Sequence, residues 1–441
     1  MAHESADLTS LVEILKYDYG TGLKNQMDDA HITYNLFPKS VRKATGLGYK
    51  FGLRYSRTQS TGARDDNQKL PDPMTGKKDQ GLINTRNNYG TIRLTGPAIL
   101  AAKGDTAAYV DGLADEMDDI FQSIKTDMNR ECHWDGFGKV GVVSASFAPS
   151  TSTTYAATFN NDLGIKYMQE GMLIDFYGAS GITCSTTCVA QRILTIKPST
   201  KVVIFETSGA TWKANHPNDT IAAYTNDQTA IPVSSTAVKM GARRATFASE
   251  TDTPYEITGL EGIFDDGTLL ASFEDIIVAT HPKWAANVMS NGAVNRELEL
   301  DLMLNALDLT RINGGGMIAN RILCGLGQQR KYANLLMPHV QFQPQVLKGG
   351  WNTLAFAGGN GEVEMFFDPM AQSNTMYVYP EGIIEKFEAS PLGWGNLDGS
   401  EMHLRQGYDS YDLFVRIISN LGCEQRNCLT KITDLVEPSL Y

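Results

Sequence analysis

Tyr49-Lys50-Phe51-Gly52-Leu53-Arg54-Tyr55 alternates apolar and polar residues with period two, the pattern of a half-buried strand. A polar segment rich in Gly, Pro, Lys and Asp follows from Arg57 to Arg86, and Tyr89-Gly90-Thr91-Ile92-Arg93-Leu94 reads as the returning strand. Loops inside compact domains usually run to about 4–6 residues. An arm this long and polar buries little of itself against its own subunit, so it lies on a neighbour or stays free. The stretch that follows is helical. Val110, Leu113, Ala114, Met117, Ile120, Phe121, Ile124 and Met128 recur at steps of three and four and form one apolar stripe. Asp111, Asp115, Glu116, Asp118 and Asp119 fall around the other face and near its start, where the helix dipole favours negative charge. The pattern predicts a helix from about Thr106 to Glu131, near 40 Å at about 1.5 Å per residue.

Working outward, Leu8, Leu11, Val12, Ile14 and Leu15 predict a short amphipathic helix in an N-terminal arm of residues 1–45. The small polar run from Ala145 to Thr154 reads as a linker. After it come Met172–Tyr177, Arg192–Ile196, Val202–Phe205 and Asp219–Tyr224. These are short strands at about ten-residue spacing, so residues 160–250 are expected to form a small β-barrel or sandwich. From about 260 the chain turns to mixed α/β. Phe273–Ala279 is a strand candidate, and Thr280-His281-Pro282 has the form of a helix start. Leu298–Leu309 is helical, Arg321–Cys324 a strand and Gln328–Leu336 a helix. Strands are expected at Val363–Phe367, Thr375–Tyr379, Ile383–Phe387, Asp412–Asn420 and Cys428–Leu435.

The chain has 441 residues, with 42% hydrophobic and 20% charged residues, ordinary values for a globular protein of two or three domains. The start of the sequence carries no signal-peptide pattern, and no apolar run is long enough to span a membrane. The net charge is −12. A protein that neutralises phosphates is basic, so this one is expected to contain nucleic acid rather than grip it. Cys184/Cys188 and Cys423/Cys428 are two close pairs without the two-residue spacing of zinc ribbons, and buried thiols explain them better. The seven histidines never fall three or four apart. Nucleophile elbow, zincin and P-loop motifs are all missing, and Gly325–Lys331 has the wrong spacing for the last. Gly314-Gly315-Gly316 reads as a tight or mobile loop, and Asp118-Asp119 as a solvated face. No cofactor or metal is expected, and an enzyme is disfavoured.

The order of these elements resembles the major capsid proteins of tailed bacteriophages over nearly the whole chain. Tyr89–Gly96 running into the long helix carries the resemblance. So does a C-terminal block of Phe367-Asp368-Pro369, Met376–Pro380, Trp394–Ser400, Tyr411–Val415 and Ile432–Leu435. The resemblance implies an α+β tailed-phage capsid fold: N-arm 1–45, E-loop 46–94, a P-domain of 95–150 and 366–441, an A-domain of 260–365, and a small β-rich domain inserted at 160–250. It implies a structural protein that self-assembles into the hexamers and pentamers of an icosahedral virion head enclosing double-stranded DNA, built in the host cytoplasm. The expected partners are a separate scaffolding protein, a portal and a decoration protein. Inter-subunit contacts are expected from the charged tip: Arg57, Arg64, Asp65, Asp66, Lys69, Lys77, Lys78, Asp79 and Arg86. Some members join Lys to Asn across subunits. Lys69, Lys77 and Lys78 lie in the right loop, with no partner Asn identified. An encapsulin-like compartment shares the fold, though such chains are usually shorter and lack an inserted domain. A carbohydrate- or surface-binding β-protein is a further alternative. It would need Phe176, Tyr177, Phe205, Trp212 and Tyr224 exposed rather than in a core.

Overall fold

A computed structural model describes residues 31–42, 48–97, 110–149, 154–160, 165–177, 191–206, 234–242, 254–336, 354–358, 361–395 and 403–438. Among them the alternating stretch forms β1 (Gly48–Arg54), which pairs antiparallel with β2 (Lys78–Asn84), Gly48 opposite Asn84 and Arg54 opposite Lys78. The chain between is the free part of the arm. Phe51 and Ile83 are buried at its root. The expected return strand is therefore corrected. Residues 86–95 form β3 (Arg86–Thr95), whose partner is β19 (Ser410–Cys423) near the other end of the sequence. The alternation in 89–94 marks a strand, but period two does not name its partner.

The helix predicted from the apolar stripe is observed as α2 (Val110–Glu131), following the short α1 (Ile32–Leu36). Its predicted first turn at Thr106 and the N-terminal helix around Leu8–Leu15 lie outside the described residues. Ile120 and Ile124 of the stripe seat on β3, where a Cβ on Gly90 would lie 2.7 Å from the Ile124 Cδ1 and 2.9 Å from Ile120. Glycine allows that close approach. Outward-facing residues of β3 alternate with the covered ones, as one buried sheet face requires.

Immediately after α2 the chain enters a closed barrel. It is built from β4 (Lys139–Pro149), β5 (Thr154–Phe159), β6 (Leu173–Tyr177), β7 (Gln191–Lys197), β8 (Val202–Glu206) and β9 (Thr236–Lys239), in the order β4-β5-β8-β7-β6-β9. The barrel thus opens at Lys139, about twenty residues before the expected boundary. In the run read as a linker, residues 145–149 belong to β4 and Thr154 opens β5, while residues 150–153 lie outside the described residues. Phe159, Phe176 and Phe205 fill the interior, with ring centroids 5.6–6.5 Å apart. Phe176, Tyr177 and Phe205 are buried, which removes them from any exposed aromatic platform. Trp212 and the strand expected at 219–224 lie outside the described residues.

The region after 260 centres on a six-stranded sheet of order β12-β20-β16-β13-β15-β14. Its strands are β12 (Asn287–Met289), β13 (Arg321–Cys324), β14 (Leu354–Gly358), β15 (Gly361–Phe367), β16 (Met376–Tyr379) and β20 (Thr430–Ile432). Two helices, α3 (Leu300–Asn313) and α4 (Leu326–Leu336), accompany it. The expected strand 273–279 is a tight hairpin instead: β10 (Ser272–Phe273) and β11 (Ile276–Ile277) meet across Glu274-Asp275. The expected helix start at Thr280 is a single 3₁₀ turn, Pro282–Trp284, preceded by His281 without a side-chain cap. Gly315 and Gly316 have φ of +70° and +96° where α3 ends, so the triple glycine is a turn. The last sheet pairs β19 with β3 on one side and with β17 (Ile384–Trp394) and β18 (His403–Leu404) on the other. No helix among the described residues is long and apolar enough to cross a membrane.

Candidate assembly surfaces and the junction behind them

The sequence-predicted contact residues do not form one cluster. Arg57, Arg64, Asp65, Asp66, Lys69 and Lys77 are exposed in the arm between β1 and β2. The bonds described there are short-range. Lys69 Nζ lies 2.7 Å from Asp72, and the Arg64 Nε donates to the Lys69 carbonyl at 2.9 Å. The Met74 N–H donates to Ser60 Oγ at 2.6 Å across the arm. Leu70 and Met74 are 78% and 60% exposed, so the tip also presents apolar surface that the charge reading overlooked. Lys78 and Asp79 belong to β2. Lys78 stands opposite Arg54, a like-charge pair. Asp79 Oδ2 lies 2.7 Å from His281 Nε2. Arg86 opens β3 half-buried, and burial lowers its guanidinium from the ordinary value.

The root of the arm is gripped by residues 274–284. The Leu82 N–H donates to the Glu274 carbonyl at 2.9 Å, and the Cys423 N–H donates to Glu274 Oε1 at 2.9 Å. Glu274 and Asp275 have φ of 54° and 63°, a strained choice for non-glycine residues. Two such residues in succession make the hairpin turn that aims both groups of Glu274 at the arm and at β19. Burial of its carboxylate pushes it up to about 8. Phe51 meets Trp284 with centroids 5.8 Å apart.

A second polar site lies buried at the C-terminal end of α2. Asp368, after β15, is wholly buried. It accepts from the Thr33 N–H at 3.1 Å, the Thr33 hydroxyl at 2.5 Å, Asn129 Nδ2 at 3.0 Å and the Met370 N–H at 2.7 Å. His133 Nε2 lies 3.2 Å away. Burial opposes its charge, but the His133, Thr33 and Met370 bonds hold the carboxyl well below the usual range. One carboxylate thus ties α1, α2 and the exit of β15 together.

Beside it the barrel is locked to α2. Arg130 donates to Asp127 at 2.9 Å and to Glu256 at 2.5 Å, and Lys239 from β9 donates to Asp127 at 2.5 Å. Burial works against Arg130's charge, and Asp127 and Glu256 more than restore it. Glu131 accepts two bonds from Asn88 at 2.9 Å and one from the Ile257 N–H at 3.0 Å. Burial, then the neighbouring Glu256 and Asp127, raise it to about 8. Carboxylate oxygens of Asp127, Glu131 and Glu256 lie within 4.8 Å of one another. A guanidinium and an ammonium already supply the positive charge there, so the arrangement reads as an internal ion network. Trp134 and Met370 complete the barrel's apolar core, and Trp134 meets Tyr167 edge-on at 5.5 Å. The sequence did carry a sign of this junction. Asn129-Arg130-Glu131-Cys132-His133-Trp134-Asp135 is a polar run where an apolar stripe ends, and all seven are buried.

Cys423 and Cys428 are buried free thiols, the latter pushed up to about 12 by burial; Cys184 and Cys188 lie outside the described residues.

No protein-family model and no curated protein matches this sequence. The structure does find similar ones. It aligns with a chain of the cyanophage A-1(L) capsid asymmetric unit at TM-score 0.55, covering 96% of this chain and 98% of that one, at 11% identity. The chain has the fold of a phage capsid subunit. A native GTA particle capsid aligns at TM-score 0.46 and 8% identity, over 99% of this chain and 100% of that one. The capsid of Myoviridae phage XM1 aligns at 0.45 and 8%, over 96% and 98%. The α+β capsid fold expected from the sequence is borne out.

Proposed function

We propose that this chain is the major capsid subunit of a tailed phage, a structural protein without enzymatic activity. It assembles into hexamers and pentamers of an icosahedral head around double-stranded DNA. The observation that carries this reading is the capsid fold running the length of the chain. In it, residues 46–94 are the E-loop lying across a neighbouring subunit, 260–365 the axial domain, and 95–138 with 366–441 the peripheral domain. The barrel opening at Lys139 is an inserted domain. The ion pair of Lys239 with Asp127 of α2 favours a buttress of the subunit over a tethered decoration.

The charge of the arm supports a second copy as its partner. Residues 56–78 carry Arg57, Arg64, Lys69, Lys77 and Lys78 against Asp65, Asp66 and Asp72, a positive arm on a chain of −12. Arg54 opposite Lys78 adds a repulsion that an acidic neighbour would relieve. Single exposed pairs give about 0–1 kcal/mol, but repeated around a shell they add up through multivalency. A scaffolding protein, a portal and a decoration protein are the further partners this role requires, and the virion head is its place.

The test is negative-stain electron microscopy of the purified protein after a sizing column, with and without a scaffolding protein. Closed polyhedra or hexameric and pentameric rings are expected. A monodisperse monomer or small dimer under both conditions would overturn the reading.

A further inference from the structure

We propose that a cavity beside the root of the arm is the seat for the arm tip of a second copy, with Leu70 and Met74 as its apolar anchors. This rests on the reading of the arm as lying across a neighbouring subunit, and adds where it lands and what holds it. The cavity has a volume of about 300 Å³ and lies where residues 40–42, the start of β17 and the end of β19 meet. Val41, Ile383 and Phe387 are its apolar lining, and Arg42, Glu385 and Glu424 its charged lining. Val41 is 98% exposed, so the apolar lining continues onto open surface. Arg42 is committed to Glu424 and to the Tyr49 hydroxyl at 2.7 Å. Glu385 is then a half-buried carboxylate without an ion-pair partner among the described residues.

Geometry and charge name the occupant. The pairing of β1 with β2 is prolonged by the Tyr55 N–H on the Lys77 carbonyl and, nearer the tip, by the Met74 N–H on Ser60. Tyr49, which stacks on Phe387 with centroids 5.3 Å apart, marks the cavity end of that ladder. The strand from Tyr49 to Tyr55 covers about 20 Å, and the tip lies beyond it. Leu70 and Met74 are thus carried away from the cavity of their own chain and stand bare. A tip on one copy and a cavity at the root of another are different patches, so the contact is head-to-tail and continues from copy to copy until a ring closes. The arm carries five cations against three acids over residues 56–78, and the cavity two acids against one cation. Lys69 adjoins Leu70, and its partner Asp72 is 71% exposed. Such a pair is weak, so Lys69 turns to Glu385 at little cost.

Leu70→Cys combined with Ile383→Cys tests the seat, by mild oxidation of the full-length protein read on non-reducing gels. The described native thiols, Cys132, Cys324, Cys423 and Cys428, are buried, and wild type and the two single variants set the background. The double variant should give a ladder of linked multimers, whereas the two single variants mixed together should stop at linked dimers. Glu385→Lys should weaken association about three- to ten-fold in sedimentation, because it sets like charges together, and Lys69→Glu in the same chain should restore it. Melting followed by circular dichroism reports that each variant is folded. Closed particles without a link between positions 70 and 383 would overturn the seat and leave the shell reading standing. Linked open oligomers that never close would support the seat and remove the shell reading. Absence of the link in every state, or undiminished association of folded Glu385→Lys, would also overturn the proposal.

Discussion

The arm beyond Tyr55 and the junction at the end of α2 are both dense in charge, and they treat it in opposite ways. In the junction every carboxylate has an internal partner. Arg130 and Lys239 serve Asp127 and Glu256, and Asp368 gathers donors from separate parts of the chain. In the arm the charges face water, with Lys69 and Asp72 paired only locally at 84% and 71% exposure. Buried ions are committed to one geometry because losing a partner strands a charge in a poor solvent. Exposed ions cost almost nothing to leave unpaired and are open to whatever arrives. The comparison separates residues committed to holding this chain as one body from residues left open to solvent and to any partner.

The sharpest way to break that comparison is Asp368→Ala. It leaves Thr33, Asn129 and Met370 donors without an acceptor in a dry site, and a loss of about 3–5 kcal/mol is expected in urea unfolding followed by circular dichroism. An unchanged midpoint would mean that the junction is not what joins these segments. The opposite test removes residues 58–76. Stability should stay within about 1 kcal/mol of wild type, since nothing buried is lost, while closed particles disappear from micrographs. The cut must stop short of β2, because carrying it to residue 85 deletes Ile83, 1% exposed in the core. Normal shells from the shorter deletion would end the assignment of the arm to assembly.

A pH test addresses the hinge between the two regions. Glu274's carboxyl is pushed from its ordinary 4.5 up to about 8 by burial. The folded state therefore keeps a proton that the unfolded chain has already released. The stability tied to that proton is complete below about 4.5 and is lost as pH rises to about 8. Wild type should lose up to a few kcal/mol relative to Glu274→Gln between pH 5 and 9. Parallel stability curves for the two proteins would contradict this. The smallest expected effect is Lys69→Ala. The pair it removes is almost fully exposed, so no measurable shift of the unfolding midpoint is expected. Assembly followed by light scattering should nonetheless become less sensitive to salt.

Local pattern made much of this fold legible. The alternation of Tyr49–Tyr55, the stripe of the long helix and the evenly spaced barrel strands all follow from side-chain periodicity, which the backbone imposes residue by residue. Pairing was not legible. The strand at 86–95 was assigned to its neighbour in sequence because nothing in it points to residues 410–419. Hairpin β10–β11 was hidden because a run such as Phe273-Glu274-Asp275-Ile276 carries no Asn-Gly signal, and its turn is held by tertiary bonds to Leu82 and Cys423. The contact residues were half legible. Charge marked the arm, but exposure alone does not say that Asp79 already has His281 or that Leu70 and Met74 stand bare.

The pairing of β3 with β19 also bears on how the chain comes off the ribosome. The Asn420 amide donates to the carbonyl of Asn84 across 336 residues of sequence. At about 5–20 residues per second, many seconds pass between synthesis of the arm's root and arrival of its partner strand. Until then β3 is an open edge and the seat of the long helix is incomplete. A nascent or truncated chain thus has an arm but no finished body to carry it. Residues 410–419 act as the closure that finishes the body, so their synthesis sets the earliest moment at which the arm is carried by a folded unit.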